Sequence, residues 1–287
     1  MVSEAGESLG RFGVVGGGTM GSGVVHTMLA ADLEVVLVES TSEALDRALG
    51  LLRASLAGAR QRGKLTRDPE ELLGALTATT DRAALSDVSF VVEAVPEILE
   101  LKARLLGEIE AVIGPDAVLA SNTSSLSLTA LGEGLTRPER FVGTHFFNPV
   151  PVQPLLEVVR TAATDPDVLE RVQRLADVLG KETVVISDSP GFATSRLGVL
   201  LGLEAVRMVQ EGVASPEDID KAMVLGYRYP MGPCRLGDLV GHDVRLGIAE
   251  YLSEQLGPRF EPPQLLRDMV ADGRLGKKTG QGFYPWP

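Results

Sequence analysis

Apolar positions follow two rhythms along this chain. Short runs rich in Val, Ile and Phe fall at residues 12–15, 35–38, 90–92, 118–120, 141–142, 155–159 and 183–186, and each reads as a buried strand. Between them, over residues 19–31, 42–62, 97–113 and 167–179, apolar side chains return every three to four positions, the spacing of one helix face. Strands alternating with helices predict an α/β unit, its mostly parallel sheet covered on both faces. The rhythm changes at Ser187-Asp-Ser-Pro-Gly191. Beyond it helical spacing dominates, over residues 192–211, 215–225, 244–255 and, more briefly, 263–271. Ser215-Pro216-Glu217-Asp218 is a well-formed helix start, with a Ser cap, Pro in the first turn and acids that suit the helix dipole. The expected organisation is an α/β domain over residues 1–188 and an all-α domain over residues 189–287.

One motif stands where the first strand gives way to the first helix. Gly16-Gly17-Gly18-Thr19-Met20-Gly21 matches G-x-G-x-x-G. With 32 glycines in the chain the string alone carries little, but its strand-to-helix position gives it meaning. Gly16 permits a tight turn, Gly18 lets the backbone approach a pyrophosphate, and Gly21 allows helix and strand to pack closely. The N–H groups that open the helix then face the phosphates. Glu39 follows the second strand, 18 positions beyond Gly21, where a carboxylate binds a ribose diol and repels a 2′-phosphate. The pattern therefore favours NAD over NADP, with FAD left open by the fingerprint itself.

Composition narrows the remaining classes. At 287 residues the chain is nearly twice the ~150 residues of a typical domain, which agrees with two units. A formal net charge of −12 argues against broad attraction to nucleic acid or an anionic membrane. The opening stretch MVSEAGESLG has acids where an export signal has basic and apolar residues. No apolar run approaches the ~18 residues of a membrane span, so the expected location is cytoplasmic. A single cysteine, Cys234, offers neither a disulfide nor a Cys-rich metal pattern.

Only three histidines are available for imidazole chemistry. His145 lies at the end of a predicted strand, in Gly143-Thr-His-Phe-Phe-Asn-Pro149, where open α/β sheets bind ligands. A His between small and aromatic residues is also an ordinary core residue. Glu157, twelve positions on, sits in an apolar run where an unpaired carboxylate is costly. A pair between the two would satisfy the acid, raise the imidazole's basicity and fix its tautomer. Ala120-Ser-Asn-Thr-Ser-Ser125 brings hydroxyls and an amide to the same sheet edge, or simply caps a turn. His26 and His242 are read as structural.

Taken together, the strings GGGTMGSG (16–23), VVEAVPEILELK (91–102), ASNTSSLS (120–127), HFFNPVPV (145–152), SPGF (189–192), EGVASPEDIDKAM (211–223), YPMGP (229–233) and GKKTGQGFY (276–284) resemble the L-3-hydroxyacyl-CoA dehydrogenase family, 3-hydroxybutyryl-CoA type. The likeness runs from about residue 11 to 284. It implies a Rossmann-type, NAD-binding domain followed by a helical domain that dimerises, with the active site between them. It also implies reversible oxidation of an L-3-hydroxyacyl-CoA by NAD, in fatty-acid or short-chain acyl-CoA metabolism. His145 matches the family's general base and Glu157 its paired acid. Ser124 matches a residue near both the reacting oxygen and the nicotinamide, and Asn148 a residue orienting substrate and cofactor. Glu97, Lys102 and Lys278 match cofactor contacts.

Ser55 and Arg62, seven apart on one helix face, match coenzyme A contacts, amid the basic cluster of Arg47, Arg53, Arg60, Arg62 and Lys64. A solvated basic face is the plainer reading of that cluster. One departure stands out: Ser195 occupies a substrate-site position where the family usually has Asn. The alternatives are a dehydrogenase of another 3-hydroxy acid or a dicarboxylic acyl-CoA, and a non-catalytic dinucleotide-binding relative.

Overall fold

The computed structural model describes residues 10–287, so the acidic stretch read for an export signal lies, but for Gly10, outside the described residues. The chain divides into two compact units, Met1–Asp188 and Ser189–Pro287.

The first unit is built on one eight-stranded sheet. Its strands are β1 (Arg11–Val15), β2 (Val35–Val38), β3 (Leu76–Thr79), β4 (Val88–Glu93), β5 (Val118–Ser121), β6 (Phe141–Phe146), β7 (Leu155–Arg160) and β8 (Glu182–Ser187). They lie in the order β3-β2-β1-β4-β5-β6-β7-β8, parallel throughout except for the antiparallel pair β6–β7. The helices are α1 (Thr19–Ala30), α2 (Ser42–Gln61), α3 (Pro69–Leu73), α4 (Leu99–Glu110), α5 (Leu128–Gly132) and α6 (Pro166–Val178). All four residues of β2 are buried, which is why the inner strands read as unbroken Val-rich runs. Phe12, Val14, Val35, Leu37, Phe90 and Val92 from the sheet meet Met28, Leu29, Leu52 and Leu56 of the helices in one core. The expected strand set lacked β3. Leu76-Thr-Ala-Thr79 is an edge strand with no fully buried position, so it carries no apolar run to recognise.

The second unit is helical: α7 (Thr194–Gln210), α8 (Pro216–Tyr227), α9 (Pro233–Val240), α10 (His242–Leu256) and α11 (Gln264–Ala271). Val199, Leu203, Val206, Ala249, Leu252, Phe260 and Leu266 form its core. The Ser215 start holds: its Oγ accepts from the Asp218 N–H at 3.1 Å, with Pro216 as the first helical residue. Helix α9 was not anticipated, because its eight residues include a Pro and a Gly and only Gly241 separates it from α10. Its buried Asp238 organises the tail. The carboxylate accepts from His242 Nε2 (2.7 Å), the Phe283 and Tyr284 N–H groups (2.8 and 2.9 Å) and Trp286 Nε1 (2.9 Å).

Candidate active site

The order of the strands reverses at β1, which has β2 on one side and β4 on the other, and ligands of open α/β sheets gather at such a point. The glycine turn leaves β1 there. Gly16 has φ +93°, and its N–H donates to the Val38 carbonyl at 2.9 Å. A Cβ at Gly21 would collide with the Gly16 carbonyl oxygen, so the turn closes only with glycine. A Cβ at Gly18 would meet nothing within 4 Å among the described residues, so that backbone faces open space. Thr19 and Met20 then open α1 with no capping side chain and no acid in the first turn. Unspent N–H groups and an unopposed dipole suit a pyrophosphate. Glu39 directly follows β2 beside the turn, its Oε1 accepting the Gly17 N–H at 2.6 Å. Turn and carboxylate together fit the adenosine diphosphate half of NAD.

A second cluster forms where β4 and β5 end. Glu93, fully buried, accepts from Lys102 Nζ (2.7 Å), Ser121 Oγ (2.6 Å) and the Val95 N–H (2.7 Å). Lys102 also lies 3.5 Å from Glu97 Oε2. The other Glu97 oxygen accepts from Thr123 Oγ1 (2.6 Å), the N–H groups of Ser124 (2.7 Å) and Ser125 (3.2 Å), and Ser124 Oγ (3.2 Å). Burial pushes the Glu97 carboxyl up, but Lys102 and these donors outweigh it, so the acid is held below its ordinary range. Ser124 is thereby fixed at the sheet edge. Lys102 is itself enclosed, its side chain only 1% exposed, and it reaches the site's surface through Glu97.

The third element is set by strand register. In the antiparallel pair β6–β7, His145 stands directly opposite Glu157. Opposed residues project to the same face with their Cβ atoms about 5 Å apart. Nδ1 of His145 accordingly lies 2.7 Å from Glu157 Oε2, and both side chains are nearly buried. Phe147 packs on the imidazole at 4.4 Å between ring centres. Asn122, at the end of β5, accepts the Phe146 N–H at 2.9 Å and pins the strand beside His145. Asn148 is exposed in the turn that follows. A glycine turn that fits a dinucleotide, a fixed serine and a His–carboxylate pair thus gather at the carboxyl edge of one sheet.

Two family descriptions match this chain end to end: 3-hydroxyacyl-CoA dehydrogenase, NAD binding domain, over residues 11–189, and 3-hydroxyacyl-CoA dehydrogenase, C-terminal domain, over residues 191–286. The chain belongs to the 3-hydroxyacyl-CoA dehydrogenase family. It is 44% identical over 284 residues to the 3-hydroxybutyryl-CoA dehydrogenase of Mycobacterium tuberculosis, spanning 98% of this chain and 99% of that protein. The crystal structure of M. tuberculosis FadB2 matches with TM-score 0.93 and 45% identity over 96% of this chain and 99% of that one. That of (S)-3-hydroxybutyryl-CoA dehydrogenase PaaH1 from Ralstonia eutropha gives TM-score 0.91 and 37% identity, covering 96% and 99%.

The remaining residues expected to serve the family's chemistry lie elsewhere in the fold. Ser55 is in the body of α2 and Arg62 directly follows it. Ser195 is in the first turn of α7. Lys278 lies in the tail of the helical unit, where its Nζ is paired with Asp243 Oδ2. Glu93, Ser121 and Asn122 support the site; the last two lie in the stretch 120–125 read for its hydroxyls and amide, whereas Glu93 was not singled out from the sequence. Glu93 carried a usable signal, an acid ending an apolar strand run, the same reasoning that selected Glu157.

Proposed function

We propose that the His145–Glu157 pair performs the proton transfer in the family's reaction. As a member of the family, the chain is an NAD-dependent oxidoreductase acting on CH–OH, converting an L-3-hydroxyacyl-CoA to the 3-oxoacyl-CoA and back. The observation that carries the assignment is the direct cross-strand opposition of His145 and Glu157 at 2.7 Å. With Nδ1 bonded to the carboxylate, the tautomer is fixed and Nε2 takes the proton of the 3-hydroxyl. Glu157 then steadies the imidazolium. NAD, when bound, would supply the acceptor for the hydride of C3. Ser124, held through its N–H, turns its hydroxyl from Glu97 to donate to the reacting oxygen, and Asn148 orients substrate and cofactor beside it. Glu97 holds Ser124 and contacts the cofactor, while Lys102 fixes Glu97. Gly16 to Gly21 and Glu39 hold the adenosine diphosphate, with Lys278 a further contact.

Ser55 and Arg62 take the coenzyme A end, and Ser195 faces the substrate. In the helical unit, Leu197, Leu225 and Tyr227 are 68%, 69% and 74% exposed, which supports a homodimer formed through that unit. Sedimentation tests that state. No described helix is long and apolar enough to cross a membrane.

The deciding experiment mixes the protein with NADH and acetoacetyl-CoA and follows NADH absorbance. Oxidation of NADH is expected. No oxidation across several acyl chain lengths, with NADH still bound, overturns the reading. Ser195→Asn supplies the amide usual in the family and is expected to raise kcat/KM. A fall would mean that Ser195 serves a different substrate.

A further inference from the structure

We propose that His26 is a positioning residue for the coenzyme A end of the substrate, fixing the hydroxyl of Ser55 beside Arg62. The inference rests on the assignment of Ser55 and Arg62 above. It starts from an oddity of α1. The helix buries Val24, Val25, Met28 and Leu29, yet places an imidazole among them that is only 3% exposed. A buried imidazole needs a partner. Nδ1 of His26 lies 2.7 Å from Ser55 Oγ, across the packing of α1 on α2.

The surroundings of Ser55 indicate what the bond is for. Ser55 and Gly58 of α2, and Arg62 at its C-terminal cap, follow one another at helical spacing. Gly58 leaves room there: a Cβ on it would lie 3.2 Å from Arg62 Nη1, so the guanidinium folds back against Gly58, one turn along from Ser55. Neighbouring Arg60 is spent differently, donating to the carbonyls of Leu65 and Thr66. Arg62 therefore supplies the charge and Ser55 the directed hydroxyl of a phosphate contact.

A serine hydroxyl turns among several directions, and only one donates to a given phosphate oxygen. Burial and the nearby Arg62 both disfavour the imidazolium, so His26 acts as a neutral ring. In the tautomer with hydrogen on Nδ1, it donates into Ser55 Oγ. The hydroxyl hydrogen is then directed outward, and its donor strength is raised by the bond it accepts. Because α1 also opens with the glycine turn, one helix supports the dinucleotide at its start and the coenzyme at its second turn.

The test separates KM from kcat. In His26→Leu the KM for acetoacetyl-CoA should rise about tenfold, the scale of one hydrogen bond to a charged group. The kcat and the KM for NADH should stay within about twofold, well below that change. The acetoacetyl thioester of N-acetylcysteamine, which lacks the nucleotide phosphates, should show no change. His26→Asn, with an N–H near the position of Nδ1, should restore most of the affinity and controls for misfolding. An equal rise in KM for both thioesters, or a fall in kcat, would overturn the proposal. Ser55→Ala distinguishes the two levels of failure. If it raises the KM for acetoacetyl-CoA and His26→Leu does not, the role of His26 falls alone. If it changes nothing, the assignment of Ser55 falls and takes the role of His26 with it.

Discussion

The two units each contain a histidine bonded to a carboxylate at 2.7 Å, and the two pairs do different work. Glu157 meets Nδ1 of His145 across two strands, at a sheet edge where an exposed asparagine and a fixed serine gather. Asp238 meets Nε2 of His242 within a fully buried cluster and also takes three donors from the chain's last residues. Nδ1 of His242 is buried without a hydrogen-bond partner among the described residues. Distance alone would rank the pairs equal. What separates them is the rest of each carboxylate's partners and the place of the ring relative to a ligand site. On the proposed assignment the first pair moves a proton, whereas the second holds a tail.

Substitution should pull the pairs apart. His145→Gln should lower kcat about a thousandfold, the scale of general-base catalysis, while NADH fluorescence titration shows unchanged cofactor affinity. Retained turnover would refute the assignment. Asp238→Asn should do the reverse: a loss of about 3 kcal/mol in urea unfolding, because buried donors lose their charged acceptor, with kcat per folded molecule unchanged. Glu157→Gln keeps the shape but not the charge that steadies an imidazolium, and should lower kcat by about a hundredfold, less than the loss of the base itself.

The smallest effect concerns the third histidine. Burial, helped by Arg62, holds native His26 below its ordinary value of 6.5, so the unfolded chain binds that proton more readily. The stability involved is whole above about pH 6.5 and declines as pH falls from there toward the lowered native value. His26→Asn should flatten that stretch of the melting-temperature profile. An unchanged slope would show that the native imidazole titrates normally.

How far the sequence foretold these features follows from how local each one is. The alternation of apolar runs with helical spacing revealed the α/β unit, and the glycine turn marked its cofactor end because both signals lie within a few consecutive residues. His145 and Glu157 could each be named, one by strand end and one by the cost of a buried acid. Their pairing was expected, yet spacing alone could not prove the contact, which depends on the register of β6 against β7. Lys102 was expected as a cofactor contact from the resemblance. Its enclosure by Glu93 and Glu97 arises from the packing of α4 beside two strand ends, which helical spacing does not encode. Strand β3 and helix α9 escaped notice for the opposite reason: each is short and held by neighbours rather than by its own pattern.

The anchoring of Asp238 bears on how the molecule is made. Every strand of the sheet lies before residue 188, so the first unit has its full set of partners while the ribosome is still translating the second. Asp238, by contrast, waits for donors at Phe283, Tyr284 and Trp286. Until synthesis reaches them, its charge lacks three of its donors, and burying it costs more. The helical unit therefore completes its packing only after those residues have left the exit tunnel, and a chain cut short before Phe283 leaves the Asp238 carboxylate with His242 alone of these four donors.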